Sequence, residues 1–417
     1  MSGRFNQIKD YRQAGKTDYS IHDCFMSGFA MMFFQDSALI EFQRRMQEKF
    51  NQNNLKTMFK VSNLPKDTQF REVLDNAPFS EVKKIFADFF RLLQRGKQLE
   101  AFRFMDNRYL VPIDGSGYFS SSKIECAGCL KKKSKKGETR YEHHILQAVI
   151  VCPGQKQVIP LAPEPITNKD GGKKQDCEIN AGKRILKDIR KTHPKLKIII
   201  TADGLYSKQP FIDALKKQRM SYILIAKKMD HKVLFNWVDE FKQMKQMSVL
   251  EFKDNKDRLH RYEWYNGLPL NGTADADNIN FFEYSLFNKG KRTYHNTWVT
   301  DIEINRSNVK RLAEGGRAKW KIENETFNTL KNQGYHIEHN YGHGKKNLSN
   351  TFFMLNLLAF FMHQIFETAD LLYQKCRKKF SARKEYWNQI RCTFRIILFD
   401  SWKDMMNLIL DPEANSP

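Results

Sequence analysis

Three acidic residues stand where carboxylate chemistry would need them. Asp114 ends the apolar run YLVPID and Asp203 ends KIIITAD, while Glu323 sits in KWKIENETFNTLK, a stretch with helical periodicity. On a helix at about 100° per residue, Trp320, Phe327 and Leu330 form one apolar stripe with Glu323 in its middle, and Glu325 points to the opposite side. A carboxylate on a core-facing stripe is unfavourable unless a cation compensates it. A divalent metal shared with Asp114 and Asp203 would do so. Hard cations such as Mg²⁺ take oxygen ligands, and two of them can clamp the attacking and leaving oxygens of a phosphodiester. The chemistry implied is metal-dependent cutting and joining of DNA.

The elements around these acids predict how they meet. YLVPID, His144 to Pro153 and QVIPLAPEP read as three strands of an antiparallel set, DCEINAGKRILKDIRKTHP as a helix, and KLKIIITAD as a central strand buried on both faces. A helix, SKQPFIDALKKQR, and a strand, SYILIAK, follow. If the strands of Asp114 and Asp203 are neighbours, the two carboxylates converge. The long gap to Glu323 must hold an insertion with its own structure. The domain reading is a helical module over 1–105 with possible DNA-end binding through Lys66, Arg71, Lys83 and Lys84, a catalytic core over 106–228 and 301–345, a β-rich insertion over 229–300, and C-terminal helices over 346–417 with a frayed tail, DPEANSP.

Composition narrows the partner. Lys and Arg number 70 against 47 Asp and Glu, a formal charge of +23, which points to a polyanion, double-stranded DNA first, and away from a membrane. Seven cysteines at scattered spacing fit a reducing cytoplasm, with nucleoid association when DNA is bound, and do not read as a disulfide framework. The first twenty residues lack the pattern of a secretory signal. The greasy run Phe352 to Phe366 contains Asn356, His363 and Gln364 and suits a buried helix better than a bilayer span.

Other residues carry two readings. Lys132 and Lys133, in the loop-like cluster LKKKSKKG, suit phosphate contact or a solvated turn. Lys319 and Lys331 flank the Glu323 face, and His336 or His339 in GYHIEHNYGHG could touch a phosphate. Trp298 and Trp264 could stack on a displaced base, although a tryptophan among strands more often packs in a core. Cys126 and Cys129 in ECAGC have a spacing able to hold zinc, with His143, His144 or Cys152 as conceivable further ligands. Two clear ligands do not make a site, and two free thiols are the expectation.

Asp114, Asp203 and Glu323 on this order of strands and helices, with DGSGYFSS, DCEINAGKRIL, IIITADGLYS and RAKWKIENETFNTLKNQGYHIEH around them, resemble the ribonuclease H-like catalytic domain of DDE transposases, particularly the IS4-like insertion-sequence group, over roughly Tyr109 to His343. The resemblance implies an α/β fold with a mixed sheet flanked by helices and two-metal phosphoryl transfer. Two Mg²⁺ ions, for which Mn²⁺ would substitute, would be held by Asp114, Asp203 and Glu323, the first bridging both. It also implies terminal inverted repeats and target DNA as substrates, and a homodimer in a synaptic complex. Phe352, Phe353, Leu357, Phe360 and Phe361 are candidates for that interface or for core packing. The IS4-like signature has Tyr, Arg, Glu and Lys at set offsets; here Gly316 stands at the Tyr position, Lys319 at the Arg position, and Leu330, with Lys331 beside it, at the Lys position. The alternatives are a ribonuclease H-like nuclease without strand transfer and a domesticated, non-catalytic DNA-binding protein.

Overall fold

A computed structural model describes residues 1–417 other than 14, 16, 136, 169–175 and 414–417, so the end of the tail expected to fray lies outside the described residues. Among the described residues the strands are β1 (Tyr109–Ser121), β2 (Leu130–Lys133), β3 (Thr139–Ile150), β4 (Ile159–Pro160), β5 (Glu164–Ile166), β6 (Ile198–Ala202), β7 (Ser221–Ile225), β8 (Ser248–Lys253), β9 (Leu259–Pro269), β10 (Asn278–Asn288) and β11 (Lys291–Thr300). They join in one mixed sheet of order β2-β3-β1-β6-β7-β11-β10-β9-β8, with β4 and β5 pairing on β3. The continuous apolar run IIITA becomes β6, buried at every position between β1 and β7, both parallel to it. Helices Glu178–Thr192 and Gln209–Lys217 make the connections on either side of β6. The architecture is the α/β, ribonuclease H-like arrangement of a mixed sheet flanked by helices.

The β-rich segment does not form a separate sheet. β11 pairs antiparallel with β7, from Trp298↔Ile225 to Thr300↔Ile223, so β8 to β11 extend the core sheet. The segment also includes a helix, Lys232–Gln243, which buries Leu234, Phe235 and Val238. LKKK, read as part of a loop, is strand β2 paired to β3.

Helices from both ends of the chain share one core. Helix Leu348–Ala369 packs against Ile21–Phe33, Asp67–Asn76 and Ser80–Arg95. Phe361 lies 5.5 Å from Phe89 and 6.0 Å from Phe86 by ring centroid. Phe352, Phe353, Leu357, Phe360 and Phe361 are all buried, and each such side chain gains about 1.5–3 kcal/mol from leaving water. They are therefore core residues and supply no free interface. Among the described residues this helix alone is long and apolar enough to cross a membrane, but most of it is buried within the protein. Several of its polar groups are bonded inside: Asn356 donates to the Tyr335 carbonyl, the Tyr335 hydroxyl pairs with His363, and Gln364 accepts from the Val158 N–H.

Polar ties fix the N-terminal helices to the rest. The Asp75 carboxylate accepts four backbone N–H groups, from Lys345, Lys346, Asn347 and Leu348, at 2.9–3.0 Å. Asn54 bonds the backbone of Phe394, Ile397 and Phe399. Lys83, considered as a DNA contact, instead pairs with Glu164 and Asp188 of the core. Arg71 and Lys84 pair locally with Asp67 and Glu81.

Trp298 on β11 is fully buried and stacks on Phe282, its cross-strand neighbour, at 5.2 Å. Trp264, opposite Phe282 on β9, is buried as well. Neither indole is available to a displaced base, because both lie beneath the helices that cover the sheet. Helix Val309–Arg317 approaches Trp298 at Gly316, where a Cβ would stand 2.5 Å from Nε1. Gly316→Ala is expected to destabilise the protein by about 1–3 kcal/mol through overpacking. Adding Trp298→Phe, which removes the clashing edge, should return part of that loss, and denaturant midpoints of the two variants measure both effects.

Candidate active site

β1 and β6 run parallel in the register Tyr109↔Ile198 to Pro112↔Thr201. Two residues further on, the same register sets Asp114 across from Asp203, on strands about 4.8 Å apart. Asp203 lies just past the carboxyl end of β6, where open α/β sheets place their ligands. Its Oδ1 accepts the Leu205 N–H at 2.9 Å, which turns the chain sharply away. Asp114 lies within the longer β1, opposite Gln147 on β3.

A fourth carboxylate joins them. Glu178 opens helix Glu178–Thr192, where an acid suits the helix dipole, and lies directly over Gly115: a Cβ there would come 2.4 Å from Glu178 Oε2. Its other oxygen accepts the hydroxyl of the fully buried Tyr206 at 2.8 Å. Burial, then the negative charges of Glu178, Asp203 and Asp114, hold the Tyr206 phenol far above its ordinary range, so it remains a neutral donor. The sequence reading passed over Glu178. The signals were the glycine after Asp114, the acid opening the next helix and the tyrosine three residues after Asp203.

Glu323 arrives by a different geometry from the one expected. After helix Val309–Arg317 the chain turns at Ala318–Lys319, and residues Ile322–Phe327 wind as a π-helix before Asn328–Asn332 resumes the α form. With i→i+5 bonding the 3.6-residue wheel no longer applies. Ile322, Thr326, Phe327, Thr329 and Leu330 turn inward, whereas Trp320 is 45% exposed and Glu323 is exposed. Glu323 is therefore not on a core stripe; the carboxylate that suffers desolvation is Asp114.

Lys319 joins the strand to the helix. Its ammonium lies 3.3 Å from Asp114 Oδ2 and hydrogen-bonds Glu323 Oε1 closely, with only 11% of the side chain exposed. Of the two glutamates in the motif, Lys319 thus engages Glu323. Burial pushes the Asp114 carboxyl up to about 6, with Glu323 and Glu178 reinforcing the rise and Lys319 opposing it. Burial would lower the Lys319 ammonium, but its bonds to Glu323 and Asp114 outweigh that and raise it.

The four acids offer hard oxygen donors, and they carry more negative charge than one ammonium neutralises. That donor set fits a divalent cation. Asp114, Asp203 and Glu323 do not converge on one point as closely as ligands of a single ion would; Lys319 stands between two of them.

The remaining candidates lie elsewhere. Lys331 pairs with Glu338 at 2.7 Å, and Lys132 with Glu142 at 2.7 Å, beside the exposed Lys133. His336 is exposed with a left-handed φ of 51°. Cys126 and Cys129, expected as two free thiols, meet His143 and also His343, more than two hundred positions away.

Two comparisons bear on this geometry. Residues 116–362 match a family model described as Transposase DDE domain, a span that contains Asp203 and Glu323 and opens two residues after Asp114. Among curated proteins no match is found.

The burial of Asp114 gives a pH signature. Its folded pKa of about 6 lies above the ordinary 3.8, so the stability it confers is fully present below 3.8 and is lost as pH rises through about 6. In metal-free protein the Tm of Asp114→Asn minus that of the wild type should therefore increase between pH 4 and pH 6 and level off above. Added Mg²⁺ should shrink the difference at neutral pH. A difference that does not vary with pH contradicts the assignment.

Proposed function

Since the match spans more than half of its length, the chain belongs to the transposase DDE-domain family, and from that premise we propose that it cuts DNA at the ends of a mobile element and joins those ends to target DNA, using Asp114, Asp203 and Glu323. The observation that carries this reading is the Lys319 bridge. It draws the helix acid to Asp114, at the end of the sheet where Asp203 stands in register. Asp114, Asp203 and Glu323 would hold two Mg²⁺ ions, with Asp114 as the ligand common to both; Mn²⁺ would serve in their place. Bound divalent ions supply Lewis-acid stabilisation of the phosphodiester transition state and make water or a DNA 3′-hydroxyl a competent nucleophile at neutral pH.

The chain's own residues prepare that reaction. Lys319 offsets the acids before metal arrives, and a lysine released from them is a point charge for the scissile phosphate. The Tyr206 hydroxyl fixes Glu178 over Gly115, beside Asp114. Trp320, exposed three residues before Glu323, offers the base-stacking face that the buried Trp298 cannot. Lys132, Lys133, Lys331 and His336 are proposed as contacts to the DNA backbone farther from the acids, in keeping with the net charge of +23. A homodimer in a synaptic complex follows from the need to hold two ends at once.

The test uses purified protein, Mg²⁺ or Mn²⁺, and linear DNA bearing the inverted repeats that flank the gene. Nicked ends and joined products are expected. Asp114→Asn, Asp203→Asn and Glu323→Gln should each slow both steps by on the order of 10³-fold or more while DNA binding persists, whereas Glu325→Gln should stay within about tenfold of the wild type. The reverse pattern for the two glutamates would move the third acid to Glu325, and nicking that never leads to joined products would favour a nuclease. Trp320→Ala should weaken DNA binding by about 1–3 kcal/mol, and Trp298→Phe should not.

A further inference from the structure

A second cluster of potential ligands lies apart from the acids. Cys126 and Cys129 occupy the turn between β1 and β2, His143 lies on β3, and His343 belongs to the loop ahead of helix Leu348–Ala369. The Sγ atoms are 3.7 Å apart. His143 Nε2 is 3.5 Å from each sulfur, and His343 Nε2 is 3.4 Å from Cys129 Sγ and 3.1 Å from His143 Nε2.

These separations are those of a filled tetrahedron. Zn–S bonds of about 2.3 Å and Zn–N bonds of about 2.0–2.1 Å place ligand atoms about 3.8 Å apart for S···S, about 3.5 Å for S···N and about 3.3 Å for N···N. A sulfur separation of 3.7 Å is also far from a disulfide, whose S–S bond is about 2.05 Å.

The surroundings orient the donors. His343 Nδ1 lies 2.9 Å from the Gly344 carbonyl, so Nδ1 carries the proton and the Nε2 lone pair points inward. The Cys126 N–H points at Cys129 Sγ at 3.4 Å, and the Cys129 N–H closes the turn onto the Cys126 carbonyl at 3.1 Å. Tyr118 stacks on His143 and Phe119 packs on His343, giving the group an apolar wall. Cys129, His143 and His343 are buried.

We propose that Cys126, Cys129, His143 and His343 bind one structural zinc ion, which ties the β1–β2 turn, β3 and the loop before helix Leu348–Ala369 into a single unit. Two thiolates and two imidazoles in tetrahedral array select zinc over the hard cations that suit carboxylates. Four protein ligands leave no open position, so the ion's role is structural. The site is separate from the acids: His143 is four residues along β3 from Gln147, the partner of Asp114, or roughly 13 Å. Through His343 it steadies the loop whose N–H groups receive Asp75, and so reaches the N-terminal helices.

The experiment measures zinc in the full chain produced in zinc-supplemented medium. About one zinc per chain is expected, falling below about 0.1 in the double variant Cys126→Ser/Cys129→Ser. His343→Cys, which keeps a ligand, should retain the ion, whereas His343→Ala should weaken binding by about 100-fold or more. Exchange of wild-type protein into Co²⁺ should give the thiolate-to-cobalt charge-transfer band and the d–d bands of a tetrahedral site. The carboxylate cluster cannot produce the former, and the measurement needs no variant to fold. Wild-type protein that takes up no zinc and shows no thiolate–cobalt band overturns the proposal. So does a Cys126–Cys129 disulfide in the protein as isolated, or a zinc content indifferent to the cysteine substitutions.

Discussion

Like charges gathered at one end of a sheet repel, and the parallel register of β1 on β6 carries Asp114 and Asp203 to that end, where Glu178 and Glu323 add their charge beside Asp114. The surrounding structure answers this repulsion. Lys319 brings a cation from outside the sheet, Glu178 is restrained by the Tyr206 hydroxyl, and burial raises the Asp114 carboxyl to about 6. The site is electrostatically under-compensated in the way a cation-binding site must be.

The helix that bears Glu323 is placed by packing as much as by charge. Gly316 lets Val309–Arg317 press on the Trp298 indole, the chain turns at Ala318–Lys319, and the π-helical stretch then rotates Glu323 outward while Ile322 and Phe327 stay in the core. The same contact requires the glycine at position 316, where any side chain would collide with the Trp298 indole.

Much of this was legible in the residues. An apolar run followed by an acid marks a strand end, and IIITA, with no polar residue but a threonine, reads as a strand covered on both faces. The neighbouring placement of β1 and β6 entered only as a condition, which the pairing of Tyr109↔Ile198 to Pro112↔Thr201 meets. Other features were not, for physical reasons. A helix wheel assumes 3.6 residues per turn and fails across a π-helix, so it set Trp320 and Glu323 on the wrong side. The junction of β7 with β11 is a long-range edge pairing that no local pattern records. The C-x-x-C spacing was visible, but His343 lies on a loop that only the tertiary fold brings to β3, and it is one of three histidines in GYHIEHNYGHG with nothing in the spacing to prefer it.

The interlocking of the two ends has a consequence for synthesis. Asp75 and Asn54 bind backbone groups near residues 345–348 and 394–399, and the N-terminal aromatics are covered by helix Leu348–Ala369. While the ribosome is still translating the sheet, the first hundred residues have emerged without the partners that cover their apolar faces. They reach their final packing only when the last helices leave the exit tunnel. A product stopped short of helix Leu348–Ala369 would leave Phe86 and Phe89 without the phenylalanine that covers them.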